Sequence, residues 1–167
     1  MQPEKLSLYK TPLQLFKRVS GRLRRLNSVA AQAQPPVLHL LVVDDEASIC
    51  FAMSEYFSQH GFSVDTTTEM DEAERLINRT NYEVIIQDLK FGISPRYGGL
   101  DIIKLVHKRN PDTRIVVLTS YGTREIEAEA RSAGAHAFLR KPKPLSHVAQ
   151  VIQGLIESPR ARGRRGQ

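Results

Sequence analysis

Four short stretches carry the groups that could do chemistry. Asp44-Asp45-Glu46 follows one apolar run, Asp88 ends the run Tyr82–Asp88, Thr119 ends Arg114–Leu118, and Lys141 sits in Arg140-Lys141-Pro142. Taken singly, each has a plain structural role. Asp88 would start an Asx-turn, the acidic pair and Thr119 would cap helices, and Lys141 would be a solvated cation. Brought together they would form something else. Three crowded carboxylates repel, which raises at least one pKa. With Lys141 protonated the cluster carries a formal charge of −2, which an oxygen-preferring divalent cation such as Mg²⁺ would neutralise. Metal, ammonium and hydroxyl could then hold the oxygens of an incoming phosphoryl group while one carboxylate attacks, giving an aspartyl phosphate. Asp88 suits the nucleophile best, standing singly at the centre. No Gly-rich phosphate loop is present, so a nucleotide-binding reading is weak.

The elements that would position these groups follow from the apolar pattern. Val84, Ile85 and Ile86 form a β-branched run suited to a strand buried on both faces. Leu38–Val43, Phe62–Thr66, Arg114–Leu118 and Ala137–Leu139 read as further strands. Helices are predicted between and after them, over about 47–59, 69–78, 100–108, 123–133 and 145–156. The first turns Ile49, Met53, Tyr56 and Phe57 inward, the second Ala73, Leu76 and Ile77, the third Ile102, Ile103 and Val106, and the last Val148, Val151, Ile152 and Leu155. Strands alternating with helices predict an α/β fold: a doubly wound, five-stranded parallel sheet of order 2-1-3-4-5 with helices on both faces, flavodoxin-like. In such a sheet every strand's C-terminus points to one edge, and that edge would collect all four stretches.

Charge divides the 167 residues into three segments. Residues 1–36 carry a net +6, the last ten residues +4, and the middle −4. The basic balance therefore belongs to the ends. Leu13, Phe16, Val19, Leu23 and Leu26 alternate with Lys17, Arg18, Arg22, Arg24 and Arg25, a basic amphipathic helix pattern over 11–26. Ala30–Pro36 reads as a linker. The expected organisation is an extension over 1–36, a domain over 37–157 and an Arg-rich disordered tail over 158–167. A basic amphipathic segment of this kind can lie on an anionic membrane, dock on a partner, act as an organelle-targeting sequence, fold back on its own domain or stay disordered alone. Residues 5–25 and 160–165 could contact an anionic membrane or nucleic acid through charge. The single cysteine, Cys50, lies in an apolar helical pattern and reads as core. With no apolar run of about 18 residues, it fits a reducing compartment, and the expected location is cytoplasmic.

In their combination these residues resemble the receiver domains of two-component response regulators, over about Leu38 to Ile156. The resemblance rests on Asp44 and Asp45 in Val-Val-Asp-Asp-Glu, and on Asp88 in Val-Ile-Ile-Gln-Asp-Leu. It rests also on Thr119 in Val-Val-Leu-Thr-Ser-Tyr-Gly, and on Phe138 and Lys141 in Ala-His-Ala-Phe-Leu-Arg-Lys-Pro. It implies that Asp88 accepts a phosphoryl group from a sensor histidine kinase or phosphotransfer protein. Mg²⁺ would be held by Asp44, Asp45, Asp88 and the backbone carbonyl of Lys90. Lys141 and Thr119 would assist, and the chain would be a signalling phosphoacceptor that catalyses only its own phosphorylation and dephosphorylation. Lys90 and Tyr121 fall where dephosphorylation is tuned, and the Lys141–Pro142 bond would be cis. Thr119 and Phe138 would form the switch, altering a surface over 123–156 that a downstream protein reads.

The pattern departs from the family's at two places. No Met-Pro pair follows the acceptor and the loop Leu89–Gly99 is a few residues longer, while Lys143-Pro144 replaces the commoner aromatic. About ten residues follow 157, from which no DNA-binding output domain is expected. Two other readings compete: a pseudo-receiver that docks partners without phosphorylation, and a module whose basic ends do the binding.

Overall fold

The computed structural model describes residues 37–90 and 98–158. The basic amphipathic stretch, the linker, residues 91–97 of the lengthened loop and the tail from 159 lie outside the described residues.

Five strands alternate with five helices: β1 (Leu38–Val43), α1 (Ala47–Gln59), β2 (Phe62–Thr67), α2 (Met70–Arg79), β3 (Val84–Gln87), α3 (Gly98–Arg109), β4 (Arg114–Thr119), α4 (Arg124–Ala133), β5 (Ala137–Arg140) and α5 (Leu145–Glu157). The sheet is wholly parallel, in the order β2-β1-β3-β4-β5 expected from the alternation. Strand residues of odd number, Leu41, Val43, Ile85, Ile115 and Val117, pack with Ala73 and Ile77 of α2, Ile102, Ile103 and Val106 of α3, and Ala130 of α4. The alternate residues Leu40, Val42, Val84, Ile86, Val116 and Leu118 are as deeply buried on the other face, which α1 and α5 cover. A strand sealed on both faces has no polar side to present, which is why these runs are nearly all apolar.

Local signals set the ends of several elements. Thr123 caps α4, its Oγ1 accepting the N–H of Ile126 at 3.3 Å. Gly134 ends that helix at φ +121°, and a Cβ there would lie 2.9 Å from the His107 ring. Arg109 closes α2 from outside, donating to the Ile77 carbonyl at 2.9 Å and to that of Asn78 at 2.6 Å.

Several boundaries and helix faces differ from the sequence expectation: β2 and β5 each run one residue further, and α5 buries Val148, Ala149, Ile152 and Gln153, with Val151 and Leu155 only half-buried. β3 stops at Gln87, so Asp88 stands just past the strand, and α3 begins at Gly98 rather than Leu100. In α1 the buried stripe is Cys50, Met53 and Phe57, with Ile49 and Tyr56 only half-buried at its margins. The Cys50 thiol points to the ends of β1 and β2, 3.4 Å from the Asp44 carbonyl and 3.6 Å from that of Thr67. Cys50 is a core residue, as expected. Among the described residues no helix is long and apolar enough to cross a membrane.

Candidate functional site

Sheet register gathers the site. Val43 of β1 pairs with Gln87 of β3, Gln87 with Val117 of β4, and Val117 with Phe138 of β5, so the four strands end side by side. The Asp88 N–H donates to the Val43 carbonyl at 2.9 Å, which sets Asp88 next to Asp44. The Lys141 N–H donates to the Thr119 carbonyl at 2.9 Å, which brings the lysine over from the sheet margin. The Lys141–Pro142 bond is cis, as the resemblance implied.

The Lys141 Nζ lies 2.6 Å from Asp44 Oδ2, 3.3 Å from Asp88 Oδ2 and 3.5 Å from Glu46 Oε1. Asp44 and Asp88 are buried, whereas Asp45 and Glu46 reach solvent. Burial, above all, raises the Asp44 pKa; hydrogen bonds from Lys141 and Glu46 oppose that, and the Asp88 charge adds a smaller upward push. The crowding expected to raise a carboxylate pKa is thus present, but desolvation outweighs repulsion as its cause. For Lys141 burial is the largest influence and favours loss of the proton. The Asp44 and Asp88 carboxylates together overcome it and hold the ammonium above its ordinary range.

Asp44, Asp45 and Asp88 each offer an oxygen within 4.8 Å of the others. A closely spaced, all-carboxylate donor set with one exposed side suits a hard divalent cation that keeps part of its water shell, which is the preference of Mg²⁺. The donors therefore fit the metal.

Thr119 is fully buried, and its Oγ1 accepts the Tyr121 N–H at 3.2 Å. Phe138 is half-buried against the core cluster. Gly122 lies directly over it, since a Cβ there would come within 3.0 Å of Phe138 Cε1. Lys90 and Tyr121 meet above the site. The Lys90 Nζ donates to the Tyr121 hydroxyl at 3.0 Å and sits 4.5 Å from the ring centroid. The Lys90 N–H donates to Asp88 Oδ1 at 3.3 Å.

Three residues at this edge escaped the sequence reading. Glu46 joins the lysine's partners, a contact foreshadowed only by its place after the acidic pair. Gly99 packs against the acceptor's main chain: a Cβ there would overlap the Asp88 carbonyl oxygen and come within 2.8 Å of Leu89 Cα. Gln87 is wholly buried, its Nε2 donating to the Asp88 carbonyl at 2.6 Å. A lone amide directly after the run Val84–Ile86 was the visible signal for it.

Comparison with known proteins points the same way. Residues 40–153 match the family described as response regulator receiver domain. The chain is 27% identical over 112 residues to the response regulator protein PilR of Pseudomonas aeruginosa, covering 67% of this chain and 24% of PilR. It is 29% identical over 119 residues to the photosynthetic apparatus regulatory protein RegA of Cereibacter sphaeroides, covering 71% of this chain and 63% of RegA. The match thus spans about a quarter of PilR and under two thirds of RegA. A crystal structure of a response regulator from Burkholderia pseudomallei, with a phosphorylated aspartic acid and a calcium ion, superposes at a TM-score of 0.66 with 28% identity, covering 71% of this chain and 68% of that one.

Proposed function

The chain belongs to the response regulator receiver domain family, and on that premise we propose that Asp88 is its phosphoacceptor, fed by a histidine kinase or phosphotransfer protein. The observation that carries the reading is the part-buried Lys141 ammonium shared between Asp44 and Asp88 beside a three-carboxylate donor set. Asp88 has one oxygen toward the lysine and the other toward the Lys90 N–H, so its carboxylate is held in one orientation.

In the transfer, an Asp88 oxygen attacks the phosphorus of a phosphohistidine. The new O–P bond forms as the P–N bond breaks, and the electron pair returns to the imidazole nitrogen. Mg²⁺, held by Asp44, Asp45, Asp88 and the Lys90 carbonyl, would supply charge neutralisation for the phosphoryl oxygens. Lys141 pairs with a phosphoryl oxygen, and the Thr119 hydroxyl moves to donate to another. That movement empties space beside Phe138, whose ring turns inward and alters the 123–156 surface for a downstream protein. The half-buried Phe138 ring under Gly122 supports this, since it borders both core and solvent. Lys90 and Tyr121, paired across the mouth, tune the entry of hydrolytic water.

Incubation with phosphoramidate and Mg²⁺, followed by mass spectrometry of the intact protein, tests the reading. Wild type should gain one phosphoryl group and Asp88→Asn none. Equal labelling of both would end it, and no labelling of either would leave the pseudo-receiver reading in its place.

A further inference from the structure

We propose that Gln87 is a positioning residue for the acceptor: its side-chain amide fixes the main chain of Asp88 and, through it, the run 88–90 on which the acceptor carboxylate is oriented. The chemical consequence rests on the phosphoacceptor reading of Asp88, whereas the conformational one does not.

Gln87 occupies a place where the fold calls for an apolar side chain. It stands in register between Val43 and Val117, both fully buried, on the sheet face whose other residues are Ile85, Ile115 and Leu41. Valine, isoleucine or leucine would fill that layer with no polar atom to satisfy. Gln87 instead brings an amide of which only half is used. Its Nε2 donates to the Asp88 carbonyl at 2.6 Å, while its Oε1 is buried without a hydrogen-bond partner among the described residues. Turning the amide over would set two acceptor oxygens against each other, so the Asp88 carbonyl dictates its orientation. An unpaired buried oxygen lowers stability. A residue that breaks the local rule at that cost, one position from the acceptor, points to a role in the site.

The role follows from where the strand ends. Asp88 lies beyond the last residue of β3, and its N–H is held by the Val43 carbonyl. Its own carbonyl takes the Gln87 amide, and Gly99 closes the space around that oxygen. The peptide plane between Asp88 and Leu89 is therefore set by a side chain rather than by a strand ladder. The next peptide plane, joined to it at Leu89, which is anchored in the core, carries the Lys90 N–H that donates to Asp88 Oδ1. Without the amide the plane can rock, and the carboxylate with it, which a transfer reaction sensitive to orientation would register.

Gln87→Met keeps the length and bulk of the side chain and removes the donor. Phosphorylation by phosphoramidate with Mg²⁺ should fall about tenfold, the scale of one lost hydrogen bond in an oriented site. The ¹⁵N amide resonances of Leu89 and Lys90 should shift while those of Leu40–Val42 hold, with the melting temperature within a few degrees of wild type. A phosphorylation rate within about twofold of wild type, or shifts spread through the sheet with a matching fall in melting temperature, would overturn the proposal. Gln87→Leu serves as the second variant, and loss of fold in both would assign Gln87 to packing alone and overturn it too. If wild type takes up no phosphoryl group, the phosphoacceptor reading fails, and the Leu89 and Lys90 resonances alone decide the role of Gln87.

Discussion

The Lys141 ammonium lies closer to Asp44, at 2.6 Å, than to Asp88, at 3.3 Å. The lysine is thus anchored on the acidic pair and leans toward the acceptor, which leaves the Asp88 carboxylate the less encumbered of the two.

Removing the ammonium should expose how much charge it offsets. In Lys141→Met two buried carboxylates face each other with no counter-charge, a situation worth about 3 kcal/mol of lost stability. Urea unfolding in metal-free buffer should show that loss. Millimolar Mg²⁺ should restore much of it, because a cation bound to the folded state alone stabilises by mass action. Phosphorylation should fall sharply with or without recovered stability. A variant as stable as wild type in chelator would show that the ammonium does not hold the pair.

Gly99→Ala should disturb the acceptor from behind. The added methyl group overlaps the Asp88 carbonyl oxygen and crowds Leu89 Cα, both main-chain atoms with no freedom to swing aside. Either α3 or the 88–89 peptide must shift, at about 1–3 kcal/mol. Thermal melting should record the cost, and the phosphorylation rate should drop with it. Gly61→Ala makes a useful contrast, since among the described residues nothing lies within 4 Å of a Cβ there and its φ of +89° is what resists.

The switch proposed for Thr119 and Phe138 has a spectroscopic readout. Beryllofluoride with Mg²⁺ should move the Phe138 ring resonances and the amides of α4 and β5. Thr119→Ala should bind beryllofluoride yet leave the ring where it was. Ring shifts of equal size in both proteins would separate Phe138 from the hydroxyl.

At the far end of the sheet, His136 predicts a loss of stability in mild acid. Its N–H donates to the Ile115 carbonyl at 2.8 Å, and its ring Nδ1 accepts the Ile115 N–H at 3.1 Å, so the ring must be neutral there. Burial foremost, then the charges of Arg114 and His107, push its pKa below the ordinary 6.5. The unfolded chain takes up the proton near that ordinary value while the folded chain resists. Stability from this group is therefore full above pH 6.5 and declines as the pH falls toward the depressed value. Urea unfolding between about pH 7.5 and 5.5 should show the decline, and His136→Asn, whose Oδ1 can accept without titrating, should flatten it.

The parts legible in the sequence were those encoded locally. The run Val84–Ile86, the Asp-Asp pair after Val43 and the Thr-Ser-Tyr-Gly turn each announce a strand end, and parallel strands bring their ends together whatever the loops do. Gln87, Gly99 and the stripe on α1 were not legible in the same way. The importance of Gln87 depends on the register that sets it between Val43 and Val117. That of Gly99 depends on how closely α3 returns to β3 after a loop of unusual length. The choice of Cys50 over Ile49 is one of helix rotation by a single position, which packing decides and a periodic pattern tolerates either way.

Val43, Gln87, Val117 and Phe138 stand abreast across four strands. A transverse file of this kind has no lever arm: a push at one member is felt by its neighbour through contact, over a few ångströms, inside a frame too densely packed to bend. With Asp88 phosphorylated as proposed, the lifetime of the message would be governed by how long its acyl phosphate survives, with no mechanical memory beyond it.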